Sequence, residues 1–418
     1  MEHVPALAAG DAPGPRRSLI LAGGGMRVAY QAGVLRALEE EGLRFVHGDG
    51  TSGGTINLAM LLSGIAPAEM CERWRTLKVR DFASLLPLRR YLRGPKLMAF
   101  GDADGIVQRV FPHLGVDVER IRAARGIEGT FNVCDFAAKT NVAVPHTEID
   151  LDLLVAGITL PIFMPPVERD GRLFVDSVWI KDANPTEAVR RGCDELWLVW
   201  CIGNSSAYRP GGFDQYVHMI ELSANGGLFE ELAHLRARTD PLPRLHVIKP
   251  EFPLPLDPDF YLGRIDADAL VATGYRDAKA YLARRPEGGV PWDESATRMR
   301  DPALGVAFAR RLRGGSVRVD VRDLARFRDE PTAELVGVLD DGRIARRGQF
   351  RLEGRRRVYE LEVDGERLLL AGGLRDAVRF LWTLRATGPY PLHRRLGAVL
   401  RFAWLLASPG RKRPAASR

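Results

Sequence analysis

The chain has 418 residues, 60 Lys+Arg against 53 Asp+Glu for a net charge of +7, and a 46% hydrophobic content. That length fits two or three domains with a sizeable buried core. No run of 18 apolar residues occurs, which excludes a membrane-spanning helix. Four scattered cysteines without CxxC spacing exclude a disulfide framework and a cysteine metal site, and point to a reducing, cytoplasmic compartment.

Residues 1–16 are rich in Ala, Pro and Gly and lack a long apolar stretch, so a disordered tail is expected there rather than a signal peptide. Ser18 to Ala22 is a short apolar run that reads as a buried strand. Gly23-Gly24-Gly25 ends it. From Val28 to Glu41 apolar residues recur at helical spacing, and Gly42 stops the helix. The three glycines thus join a strand end to a helix N-terminus, where unpaired N–H donors and the helix dipole favour an anion. Arg27 adds a positive charge beside them. A second strand is expected at Arg44–His47. Gly50-Thr51-Ser52-Gly53-Gly54 then has the form G-x-S-x-G, which bends a strand into a helix and lifts one hydroxyl clear of the sheet. Gly50, Gly53 and Gly54 are small because side chains there collide with neighbouring backbone. A helix to about Leu62 follows. A nucleophile at Ser52 and an anion site at Gly23, Gly24, Gly25 and Arg27 together imply acyl transfer. The competing reading, a dinucleotide fold, lacks its third glycine because Val28 stands there.

Downstream, Pro67 to Leu77 reads as a helix, and Arg89 to Gly105 as a flap. Thr130–Asp135 and Thr140–Val144 read as a strand pair. Asp170-Gly171 reads as a hairpin turn between Val167-Glu168 and Leu173-Phe174-Val175, which leaves Asp176 at a strand end. Thr186 to Arg191 is helical and Glu195 to Cys201 is a buried strand. This alternation predicts a mostly parallel sheet covered by helices on both faces, with ligands beyond the strand ends. Past Arg284 to Gly289 the pattern changes. Val317–Val321, Phe350–Leu352, Val358–Val363 and Leu368–Leu370, with Asp-Gly turns at 341 and 364, predict a small antiparallel β domain.

Residues 298–418 carry 27 Lys+Arg against 14 Asp+Glu, so the basic charge is concentrated there. From Leu392 to Ala407 apolar and arginine residues alternate at helical spacing, and Arg411-Lys412-Arg413 follow. That stretch is too short to span a bilayer and fits either an interfacial helix or one packed on the protein's own core. Peripheral membrane contact through this basic region is the expected association. Nucleic acid ranks lower, because no recognised motif accompanies the charge. The sequence leaves the oligomeric state open.

Leu21 to Leu35, with its glycine triplet, resembles the oxyanion segment of the patatin-like phospholipase family. Gly50 to Gly54 resembles its nucleophile elbow. Gly171 to Val178, followed by Asn184-Pro185, resembles the segment bearing the family's aspartate, and Leu160 to Pro166 the stretch before it. Val28 and Ser177-Val178 depart from the family's glycines. The likeness spans about residues 17 to 285. It implies a three-layer α/β/α fold over 17–285; the strand and helix patterning, not the likeness, adds a β-rich domain over 286–390 and a helix with a basic tail over 391–418. The likeness also implies a Ser52–Asp176 dyad that hydrolyses lipid acyl esters with no metal or organic cofactor. A serine–acid–histidine triad is the rival catalytic arrangement, with His218, His234, His246 and His393 following Asp176. A catalytically silent lipid- or membrane-binding protein of the same fold is the rival function.

Overall fold

The computed structural model describes residues 2–10, 13–78, 81–82, 99, 102–208, 211–255, 266–353, 356–370, 376–388 and 390–407. The flap expected over Arg89 to Gly105 lies largely outside these residues, as does the segment holding Arg411-Lys412-Arg413.

Two sheets organise the chain. The first holds β1 (Arg17–Leu21), β2 (His47–Thr51), β3 (Glu128–Asp135), β4 (Thr140–Pro145), β5 (Val167–Arg169), β6 (Arg172–Asp176), β7 (Glu195–Val199) and β8 (Arg244–Ile248). Its order is β5-β6-β3-β2-β1-β7-β8, with β4 on the other edge of β3. The β3-β2-β1-β7-β8 part is parallel, and β4, β5 and β6 join antiparallel. The second sheet is antiparallel, in the order β14-β13-β12-β11-β10-β9-β15. Its strands are β9 (Gly305–Leu312), β10 (Gly315–Val321), β11 (Thr332–Leu339), β12 (Arg347–Glu353), β13 (Arg356–Val363), β14 (Glu366–Leu370) and β15 (Arg385–Thr387).

The longer helices are α1 (Ala29–Glu40), α2 (Gly53–Leu62), α3 (Pro67–Thr76), α4 (Gly212–Arg238), α5 (Ala267–Leu282) and α6 (Leu392–Ala407). Strand periodicity divides them into layers. Leu19 and Leu21 of β1, with Trp197 and Val199 of β7, join a core with α1, α2 and α5. Ile20, Leu196 and Leu198 face the other way, against Ile220, Ala224, Leu228 and Leu232 of α4. The sheet is therefore buried on both faces, which is why β1 and β7 read as near-continuous apolar runs. Gly42 ends α1 as expected: at φ 72° it lets Leu43 N–H donate to Leu38 O at 3.1 Å.

Two expectations are corrected. The second strand lies at His47–Thr51, not Arg44–His47. Its His-Gly-Asp-Gly-Thr sequence has poor strand propensity, but backbone pairing on both sides and buried polar partners for its side chains override that. The N-terminal segment is packed rather than a loose tail: Leu7 is fully buried, and its carbonyl accepts from Phe45 N–H at 2.8 Å. Of the two readings open for α6, packing on the protein's own core holds for one face: Ala398, Phe402 and Leu406 enter the second sheet's core with Phe308, Phe327 and Phe350.

Candidate active site

Ser52 sits between β2 and α2 at φ 53°, ψ −130°, a conformation costly for any residue with a Cβ. Tight packing imposes it. A Cβ on Gly53 would lie 2.9 Å from Gly25 O, and one on Gly54 2.7 Å from Ala22 O. The elbow therefore rests directly on the β1 glycine turn. Gly24 and Gly25 take φ 157° and 56°, values open to glycine.

Strand register brings Asp176 to the same place. The β2 ladder on β3 ends at the pair Thr51–Asn132, and the β6 ladder begins at the next residue, Asp176–Val133. Because β4 occupies the opposite edge of β3 at 130–135, β2 and β6 share one edge, end to end. Ser52 and Asp176 thus emerge side by side. Asp170 does not: it occupies the hairpin turn at φ 52° with an exposed side chain.

Asp176 is fully buried. Its N–H donates to Thr159 O at 3.0 Å, Oδ1 accepts from Val178 N–H at 2.8 Å, and Oδ2 meets no hydrogen-bond partner among the described residues. Burial drives its carboxyl up to about 7, while the Ser52 hydroxyl and the Val178 amide pull it down. The Ser52 hydroxyl is therefore close enough to the carboxyl to favour its ionised form. Ser52 itself keeps 7% exposure.

The expected anion site is only partly open. Gly23 N–H donates to both carboxyl oxygens of Asp182 at 3.1 Å, so this amide is already engaged, contrary to expectation. Among the described residues no hydrogen bond engages the amides of Gly24 or Gly25. Arg27 also differs from expectation. Its Nε donates to Gly24 O at 3.1 Å and its guanidinium pairs with Glu221 at 3.1 Å, so it braces the turn. Asp182 is fully buried, and burial and then the Asp176 charge hold its carboxyl well above the usual range.

Beneath the site lies a polar network that sequence reading missed. Asn132 Nδ2 donates to Asp49 Oδ1 (2.8 Å), Thr51 Oγ1 (3.1 Å) and Gly50 O (3.3 Å). Its Oδ1 accepts from Asn184 (2.9 Å) and Asn141 (3.0 Å), and Asn141 accepts from Ser177 Oγ at 2.6 Å. One buried amide thereby ties the serine's strand to the aspartate's turn. Burial lifts Asp49 to about 8, so it is largely protonated at neutral pH. The available signal was a polar residue inside each of two strands.

The histidines stand elsewhere. His47 is held between Ser18 Oγ (2.8 Å) and Thr130 Oγ1 (2.9 Å), and burial pushes it down to about 3. His246 stacks on Trp197 at 4.3 Å and meets Tyr281 Oη at 2.9 Å. His218 packs edge-on to Tyr208, while His234 and His393 are exposed.

An aromatic cluster lies within electrostatic range of Asp176. Phe163 and Trp179 pack edge-on against Tyr216 at 5.4 and 5.9 Å. Burial and the nearby Asp176 charge raise the Tyr216 hydroxyl, which ties this cluster to the site. Ile162 beside Phe163, and Met219 and Leu222 on α4, are exposed.

Residues 19–190, which contain the elbow, the glycine turn and the aspartate, match the family model described as patatin-like phospholipase. This span is a patatin-like phospholipase domain. Members of that family are lipid acyl hydrolases. Among solved structures, the chain is similar to VipD from Legionella pneumophila at 10% identity and a TM-score of 0.33, over 65% of this chain and 67% of that one. No curated protein matches the chain. The patatin-like domain includes β1 to β6; β7, β8, α4 and α5, which complete the sheet and its layers, lie beyond the matched residues.

Proposed function

We propose that the chain is a serine acyl hydrolase that cleaves fatty-acyl esters of lipids through a Ser52–Asp176 dyad. The observation that carries this reading is the shared β3 edge, which sets a strained serine beside a buried carboxyl titrating at about 7. A carboxylate of that basicity can accept a serine proton at neutral pH. Ser52 Oγ attacks the ester carbonyl as its proton passes to Asp176. The amides of Gly24 and Gly25 hold the oxyanion; each such donor contributes about 10²–10³ in rate. Collapse expels the alcohol, which takes the proton from Asp176. Water then attacks the acyl-serine as its proton passes to Asp176, and collapse releases the fatty acid while Asp176 returns that proton to Ser52 Oγ.

Two further observations support the details. Among the described residues no histidine hydrogen-bonds Asp176 or Ser52, which favours the dyad over a triad. Ile162 and Phe163, with Met219 and Leu222 on the helix that carries Tyr216, are exposed apolar side chains that would suit an acyl chain better than a polar substrate.

A fluorophosphonate probe should label Ser52, and Ser52→Ala should lose both labelling and at least about 10⁴-fold of ester turnover. An unlabelled but well-folded parent chain would instead favour the silent lipid-binding protein.

A further inference from the structure

Helix α6 has two apolar stripes. Ala398, Phe402 and Leu406 are buried against the second sheet. Leu392, Leu396, Leu400 and Trp404 form the other, four residues apart, and are 68, 55, 70 and 57% exposed. At 100° per residue the two stripes are centred about 140° apart. The exposed one therefore contributes nothing to the core.

We propose that this stripe docks the protein on an anionic membrane surface, with α6 lying in the plane of the interface. Charge selects the occupant. Arg394 and Arg401 are exposed and follow the stripe around the helix, between it and the buried face. From residue 377 to the C-terminus the sequence has 9 Lys+Arg and no Asp or Glu. A row of leucines with one tryptophan, bordered by cations and free of acids, is the composition of an interfacial helix. A homodimer through this face would bring the same cations together. No helix among the described residues is long and apolar enough to cross a membrane, so α6 lies on the surface rather than through it.

Flotation of the full chain with vesicles tests this, using phosphatidylcholine alone and phosphatidylcholine containing phosphatidylserine. The chain should float with the anionic vesicles and far less with the neutral ones. Leu396→Ser/Leu400→Ser/Trp404→Ser should weaken that binding at least about tenfold, since each side chain loses its insertion. Arg394→Glu/Arg401→Glu should weaken binding to the anionic vesicles by a similar factor and leave the neutral ones unchanged, because each surface cation contributes about 1 kcal/mol there. Both variants alter exposed positions, so circular dichroism and turnover of a soluble short-chain ester should match the parent. Ser52→Ala should float normally, which separates docking from hydrolysis. Undiminished flotation of the triple serine variant would overturn the proposal. So would a parent dimer that this variant converts to monomers without any effect of lipid.

Discussion

Burial lifts the Asp176 carboxyl from its ordinary 3.8 to about 7, and this one shift bears on both rate and stability. For the rate, Asp176 as the proposed base must be ionised. The kcat/KM for ester hydrolysis should therefore rise with pH through about 7 and level off above it, as a pH–rate profile would record. For stability, the folded chain keeps this proton to a higher pH than the unfolded chain does. The contribution is neutral below about pH 4, becomes unfavourable as pH climbs from there to about 7, and stays so above. Three pH units correspond to about 4 kcal/mol. Asp176→Asn removes the ionisable group and keeps an oxygen for the Val178 amide. It should abolish turnover and raise the thermal midpoint above the parent's at pH 8, with little difference at pH 4; calorimetry at the two pH values checks the sign. A variant less stable at pH 8 would mean that the carboxylate is better accommodated than its burial implies.

At the scale of elements, β3 is the organiser. It aligns β2 and β6 on one edge, and its Asn132 side chain links their ends. Asn141, on the neighbouring β4, carries that link to Ser177, next to Asp176, the proposed base. Asn141→Ala should lower kcat about tenfold while KM stays near the parent value, with a stability loss of about 1–2 kcal/mol from two lost hydrogen bonds. Steady-state kinetics beside a urea titration separates the two effects, and an unchanged kcat would remove the bridging role. Legibility in the sequence followed the same lines. The elbow at Gly50–Gly54, the end of α1 at Gly42 and the Asp170-Gly171 hairpin were readable because local backbone geometry demands those residues. The start of β2 was not, because glycine and aspartate enter a strand only when neighbours on both sides supply the partners. The engagement of Gly23 by Asp182 spans 159 positions along the chain, beyond any local pattern. The network through Asn132 is equally non-local: a polar residue inside each of two strands hints at it, but not at the partners it meets.

Across the whole molecule, the two sheets share a core. Alternation along β11 sends Leu335 and Leu339 into the second sheet's interior, while Val336 and Val338 turn the other way and join the core of the first, with Ile344 from the following turn. Polar contacts flank them: Arg276 on α5 pairs with Glu334 at 3.1 Å, and Arg36 on α1 donates to Gly342 O at 2.9 Å. Neither sheet can unfold without exposing the apolar face that the other covers. Thermal unfolding should therefore be one cooperative transition, with probes in the two sheets reporting the same midpoint. Val338 is fully buried, so Val338→Ala should destabilise by about 2 kcal/mol through lost transfer energy and a residual cavity. It should also move that shared midpoint as a unit. The matched substitution Leu339→Ala, inside the second sheet alone, should do the same if coupling is complete. Splitting of the transition by either variant would show that β11 joins two independently stable halves. The basic second sheet and α6 would then be a detachable module rather than part of the hydrolase's own folding unit.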